Sequence, residues 1–252
     1  MVRQASGVSS GPYKGIVSQE IRGAQDPRVH AGDTNRGVRP VTGHTNIIWD
    51  WNGTLFDDAW LCRSVVNGLL ARRGKPTLDE QRYQEVFDFP VRDYYRRAGF
   101  DFDEEPYEVL ATEFIEEYER RRHECGLREG AQEVVARCAG AGLKQHILSA
   151  YAQHTLEDVV GSFGIRHFFA AVHGLDNHYA SGKEQIAAAM MAETGLDASR
   201  TVLVGDTTHD YDVARAIGVS CVLMPGGHHS RARLETCGVD MVDSLESIPG
   251  AL

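Results

Sequence analysis

Three aspartates, a lysine and a serine of this chain sit where apolar runs give way to turns or to the starts of helices. Asp50 follows the run Asn46-Ile47-Ile48-Trp49 and precedes the turn-prone pair Asn52-Gly53. Ser149 follows Gln145-His146-Ile147-Leu148, and Lys183 follows Ser181-Gly182 at the head of a helical pattern. Asp206 follows Val202-Leu203-Val204-Gly205, with Asp210 four residues on. Carboxylates gathered in this way make a hard, oxygen-rich site suited to Mg2+. A lysine and a small hydroxyl beside them can hold the peripheral oxygens of a phosphoryl group. A carboxylate that attacks phosphorus forms an aspartyl-phosphate, which divides one difficult step into two easier ones.

Taken singly, each residue has a plainer reading. Asp206 is a turn or N-cap residue, and Ser149 is a cap before a helix. Lys183 is a solvated first-turn residue, although a helix N-terminus disfavours a cation there. Lysine occurs only four times in the chain (Lys14, Lys75, Lys144, Lys183), which adds weight to its presence at this point. The ordering carries more than any one residue, because every candidate falls at a boundary of one alternating pattern.

The pattern runs as follows. Residues 1–44 contain seven glycines without periodicity and six Lys/Arg against three Asp/Glu, the composition of an unstructured tail. A strand is expected over 46–49 and a helix over about 58–73, stopped by Gly74. Residues 76–128 hold fifteen Asp/Glu, with Val109, Leu110, Phe114 and Tyr118 at helical spacing, and read as an all-helical insertion. Beyond them come helix 131–139, strand 144–148, helix 155–163, strand 168–172, helix 183–194, strand 201–204, helix 210–217 and strand 220–224. Strands alternating with helices imply an α/β fold, a parallel sheet with helices on both faces. The ligands of such sheets bind at the carboxyl ends of the strands. The core is expected over 45–75 and 129–252, with the insertion between.

Bulk properties narrow the partners. A formal net charge of -10 lacks the basic stripe that a nucleic-acid binder needs. No apolar stretch approaches the roughly 18 residues of a membrane span. The N-terminus shows no apolar secretory core and the five cysteines are scattered, so a cytoplasmic location with reduced thiols is expected.

The motifs resemble those of the haloacid dehalogenase superfamily, within it the phosphoglycolate-phosphatase-like members with a helical C1-type cap. Asp50-Trp51-Asn52-Gly53-Thr54-Leu55 is similar to the first motif, Ser149 to the second, Lys183 to the third, and Gly205-Asp206-Thr207-Thr208-His209-Asp210 to the fourth. The resemblance covers the chain from about Thr45 onward. It implies a Rossmann-like, doubly wound parallel sheet with the cap inserted after the first strand. It also implies a Mg2+-dependent phosphatase acting on a small phosphorylated metabolite. Asp50 would be nucleophile and metal ligand, joined by the Asn52 main-chain carbonyl and by Asp206, with Asp210 supporting the site. Ser149 and Lys183 would hold the phosphoryl oxygens, with Gly53, Thr54 and Ala150 lining the same pocket.

The chain departs from the family pattern at Asn52, where phosphatases usually carry an aspartate that acts as general acid and then base. An amide can hydrogen-bond a leaving oxygen but cannot protonate it, and loss of a general acid costs about 10² to 10⁴ in rate. Either the leaving group needs little help, or Asp57, His209 or Tyr94 supplies the proton, or the chain is a weakly catalytic phosphometabolite-binding or regulatory protein on the same fold. Among sister chemistries, the Asp206/Asp210 pair argues against metal-free dehalogenases. The absence of lysine between Pro76 and Arg128 argues against phosphonate hydrolases with a Schiff-base lysine in the cap. Mutases with a similar cap remain open. In the cap, Arg92 and Arg96 share a face at i, i+4 spacing. Arg92 is a candidate for a second anionic group of the substrate, against the plainer reading of a solvated face paired with acidic neighbours. His228-His229 and His209 read as surface loop residues.

Overall fold

The structure, a computed structural model, describes residues 43–175 and 182–251. The tail over residues 1–42 and the Ser181 of the third motif lie outside the described residues. The strand β1 (Asn46–Trp49) is buried along its whole length, as a central parallel strand covered on both faces must be. Ile47 and Trp49 enter the core on one face and Ile48 on the other, the alternation of a pleated strand. β1 pairs in parallel with β2 (Lys144–Ala152) and β4 (Thr201–Gly205). With β3 (Ala171–Leu175), β5 (Ser220–Leu223) and β6 (Asp240–Met241), the sheet order is β3-β2-β1-β4-β5-β6, all parallel. This is the doubly wound arrangement expected from the sequence, and its order reverses between β1 and β4, where a crevice opens at the strand ends.

Helices cover both faces. α5 (Ala131–Gly140) and α6 (Gln153–Ser162) set Val134, Val135, Leu156 and Val160 against the face of Ile47 and Trp49. α7 (Lys183–Thr194) and α8 (Thr208–Ile217) set Ile186, Met190, Val213 and Ala214 against the face of Ile48. The short α9 (Arg231–Glu235) and α10 (Ile248–Ala251) follow near the C-terminus.

Four helices fill the space between β1 and α5: α1 (Ala59–Arg72), α2 (Glu80–Val86), α3 (Val91–Ala98) and α4 (Tyr107–Arg121). α1 packs along α4. Arg73 at its end binds Glu105 at 2.9 Å and Glu113 at 3.2 Å, closing the loop before α4 onto α1.

Strand ends differ from the sequence reading in two places. β2 runs on to Ala152 instead of stopping at Leu148, with an irregular register between those residues. Because its pairing with β1 stops at Ile147, Ser149 still lies just beyond the end of β1. β3 starts at Ala171, three residues late, since Arg166–Phe168 form a 3-10 turn first. β3 runs on through His173 and Gly174 to Leu175, and Gly174 is required there: a Cβ would meet the Tyr151 carbonyl at 2.6 Å. The two-residue β6 has no sequence pattern long enough to announce it.

Candidate active site

The first motif folds back on itself directly after β1. Leu55 and Phe56 donate their N–H groups to the Trp51 carbonyl, and Gly53 takes a positive φ of 77°. No side chain fits at Gly53, because a Cβ would meet the His228 ring at 2.7 Å and the Asp206 carboxyl carbon at 2.8 Å. Arg128 ties the turn down, donating to the Gly53 carbonyl at 2.7 Å and to the Pro225 carbonyl at 3.1 Å.

Asp50 at the end of β1 and Asp206 at the end of β4 thereby face one another across the crevice. Asp210 joins them from α8, held by a capping box in which Thr207 Oγ1 and Asp210 hydrogen-bond reciprocally. Asp50, Asp206 and Asp210 are all buried, and a carboxylate oxygen from each lies within 4.8 Å of the others. Lys183, buried at the start of α7, donates from Nζ to Asp210 at 2.5 Å and to Asp50. The Thr54 hydroxyl lies 2.9 Å from both Asp50 Oδ2 and Asp206 Oδ1.

This arrangement is short of positive charge. Three carboxylates against one ammonium leave a formal charge of -2 in a buried volume. Thr54 has one proton for two carboxylate oxygens. Burial raises the Asp50 carboxyl well above its usual range, with Lys183 opposing and the other two aspartates adding to the rise. Burial likewise raises Asp206. At Asp210 burial works upward too, but Lys183 and Thr207 outweigh it and the carboxyl is lowered. A divalent cation with oxygen ligands fits both the charge and the donor set.

Ser149 is buried and donates to the Asn52 carbonyl Oδ1 at 3.2 Å. Ala150 follows it, half-buried, in the extended end of β2. The fold therefore gathers Asp50, Asn52, Gly53, Thr54, Ser149, Lys183, Asp206 and Asp210 at one end of the sheet. Arg92 lies in α3 of the helical insertion, with its guanidinium over the rings of Phe102 (5.4 Å) and Tyr107 (5.7 Å). Arg96 stacks on the same Phe102 ring at 5.2 Å, so the shared face of the two arginines is real.

Several residues of the site carry no signal in the sequence. His228 and His229, expected at the surface, are 4% and 0% exposed. His228 donates its backbone N–H to Asp206 Oδ2 at 2.6 Å, while its Nδ1 meets the Tyr83 hydroxyl at 2.7 Å. His229 accepts from the Thr208 N–H at 3.0 Å, and burial lowers its pKa to about 3, so the ring is neutral. Asp57 is exposed, whereas its neighbour Asp58 is buried against Asn52. Tyr94 lies among the rings of Tyr83, Phe87 and Tyr95. Asp58, Cys62 and His228 form a second group within 4.8 Å. The Asp58 oxygens there already accept from Gly53, Asn52 and Tyr118.

The acidic cluster therefore lies at the β1/β4 switch point of a doubly wound parallel sheet, with the helical insertion packed against it. Residues 47–224 match the model of the haloacid dehalogenase-like hydrolase family, and the chain belongs to that family. It is 30% identical over 212 residues to a phosphoglycolate phosphatase of Caulobacter vibrioides, covering 81% of this chain and 89% of that protein. It is 26% identical over 217 residues to the tyrosine-protein kinase PtkA of Mycobacterium tuberculosis, covering 85% and 74%. Among solved structures, a haloacid dehalogenase-like hydrolase of Streptococcus pneumoniae superposes with a TM-score of 0.73 at 18% identity, covering 82% of this chain and 97% of that one. The family and its phosphatase-named relatives support a phosphatase activity.

Proposed function

We propose that this chain is a Mg2+-dependent phosphatase of the phosphoglycolate-phosphatase type, hydrolysing a small phosphorylated metabolite through an aspartyl-phosphate on Asp50. The observation that carries this reading is the buried triad of Asp50, Asp206 and Asp210, short of positive charge and bridged by a single lysine. Asp50, Asp206, Asp210 and the main-chain carbonyl of Asn52 would hold the metal. When bound, Mg2+ supplies charge neutralisation for the carboxylates and the transferred phosphoryl oxygens.

In this reading, a carboxylate oxygen of Asp50 forms a bond to phosphorus as the ester P–O bond breaks, and the leaving alkoxide takes up a proton from water. Water then attacks phosphorus, releasing phosphate and restoring the Asp50 carboxylate, with the water's surplus proton going to solvent. Lys183 orients the Asp50 carboxylate and meets the incoming charge. Ser149 supports a phosphoryl oxygen, while Gly53, Thr54 and Ala150 line the pocket. The helical insertion over residues 76–128 acts as the cap that excludes water and sets substrate choice. The chain acts in the cytoplasm.

A screen of phosphorylated metabolites with Mg2+, run on the wild type and on Asp50→Asn, tests the reading. Activity in the wild type and a loss of at least about 10³-fold in the variant is the expected result. Undetectable hydrolysis by the wild type across the panel, with retained ligand binding, would favour the second reading, a phosphometabolite-binding or regulatory protein. The amide at position 52 is the observation that favours that alternative.

A further inference from the structure

Asn52 brings an amide to a position where the family usually places a carboxylate, yet a carboxylate lies against that amide. Asp58, 1% exposed at the start of α1, accepts from Asn52 Nδ2 at 2.8 Å and from the Tyr118 hydroxyl at 2.7 Å through Oδ2. Its Oδ1 accepts from the Gly53 N–H at 2.9 Å, and His228 Nε2 lies 3.7 Å from the same oxygen. Three hydrogen-bond donors and the His228 ring thus converge on the two Asp58 oxygens, the surroundings that favour a carboxylate.

The amide of Asn52 is fully committed. Its NH2 group faces Asp58 and, at 3.2 Å, the Tyr118 oxygen, while its Oδ1 accepts from Ser149. Rotating the amide by half a turn would set its carbonyl against the Asp58 carboxylate, two acceptors in contact with no proton between them. Asp58 therefore selects one of the two amide orientations and, through it, the partner of the Ser149 hydroxyl. It also links the first motif to Tyr118 of α4 and, by way of His228 and Tyr83, to α2.

We propose that Asp58 is the positioning residue for Asn52, and that the negative charge the family carries on side chain 52 resides here on side chain 58. The departure at Asn52 is then one half of a paired exchange. The same contacts can be rebuilt with the two groups swapped. Ser149 can donate to an aspartate at 52 as it does to the amide oxygen, and Tyr118 lies within reach of both side chains. An asparagine at 58 keeps an oxygen for the Gly53 N–H and gains an NH2 for the new carboxylate.

The test is a double-mutant cycle of Asn52→Asp, Asp58→Asn and the two combined. It reads the thermal midpoint and, with p-nitrophenyl phosphate and Mg2+, kcat and KM. Asn52→Asp sets two carboxylates in contact, and Asp58→Asn, with its oxygen kept on the Gly53 N–H, sets two NH2 groups in contact. Each single change is expected to lower kcat about tenfold and the midpoint by roughly 5 °C. The combined variant should return to within about threefold and 2 °C of the wild type. Additive losses in the combined variant, or an Asn52→Asp variant equal to or better than the wild type, would overturn the proposal. The activity arm rests on the phosphatase reading, whereas the thermal arm does not. A wild type that hydrolyses nothing therefore defeats that reading while the midpoints still decide the role of Asp58.

Discussion

Lys183 Nζ reaches Asp210 Oδ1 at 2.5 Å and hydrogen-bonds Asp50 with the same ammonium, so one cation joins the end of β1 to the start of α8. Burial works to lower the Lys183 pKa, but Asp210 and Asp50 outweigh it and the ammonium is held in its charged form. Replacing it as Lys183→Met keeps the length and leaves three buried carboxylates without a cation. Breaking a buried ion pair on one side costs about 3 to 5 kcal/mol. Chemical denaturation without divalent ions should show a loss of that order. Saturating Mg2+, at about 100 times its Kd, should return roughly 2.7 kcal/mol. A variant as stable as the wild type without Mg2+ would show that the lysine does not neutralise this cluster.

Gly227 lies directly beside the Asp206 carboxylate. A Cβ there would meet the Asp206 carboxyl carbon at 2.6 Å and the Gly53 carbonyl at 2.7 Å. Gly227→Ala should displace the Asp206 carboxylate and weaken Mg2+ binding by about 10- to 100-fold, the range typical of disturbed ligand support. Calorimetric titration with Mg2+ measures it. An unchanged Kd would place Asp206 outside the metal site.

Arg233 fastens the insertion to the sheet. Its Nη1 donates to the Phe87 carbonyl at 2.5 Å and to the Gln84 carbonyl at 3.0 Å, and Nη2 pairs with Asp88 at 3.3 Å. Arg233→Ala should cost about 1.5 to 3 kcal/mol, since hydrogen bonds from a charged donor are lost at a half-buried site. Proteolysis of the loop around Phe87–Pro90 should accelerate in parallel. A stability loss without faster cleavage would show that the loop is held by its ring contacts with His228 and His209.

His146 on β2 is buried, and neither ring nitrogen has a hydrogen-bond partner among the described residues. Burial, with Lys144 and His173 adding to it, lowers its pKa from 6.5 to about 4. The folded state therefore holds the neutral ring, while the unfolded chain takes up a proton near pH 6.5. The stability linked to this group is fully present above pH 6.5 and is lost as pH falls towards 4. His146→Leu should flatten the pH dependence of stability over that window, as measured by urea midpoints at pH 7, 5.5 and 4.5. An unchanged slope would assign the acid sensitivity to other groups, such as His229 with its pKa lowered to about 3.

Much of this protein was legible along the chain. The alternation of apolar runs with helical patterns identified five of the six strands, because each central strand is buried on both faces and must be apolar throughout. The positions of Asp50, Lys183, Asp206 and Asp210 at strand ends and helix starts were enough to group them, since a parallel sheet brings all its carboxyl ends to one side. Local chemistry also marked the turn at Asn52-Gly53, whereas the cap of α8 falls on Thr207 and not on Asp206.

Tertiary structure decided what those local signals could not. Asp57 and Asp58 are chemically identical neighbours, and only the packing of α1 on α4 buries one against Asn52 and leaves the other in water. His228 and His229 read as loop residues until the docking of Phe87 and Tyr83 encloses them. Arg92 and Arg96 share a helix face by spacing, but only the fold shows that both guanidinium groups lie over the Phe102 ring. Residue type and spacing report on neighbours a few positions away. Burial, orientation and pairing depend on contacts between segments far apart in the chain, and those exist only once it has folded.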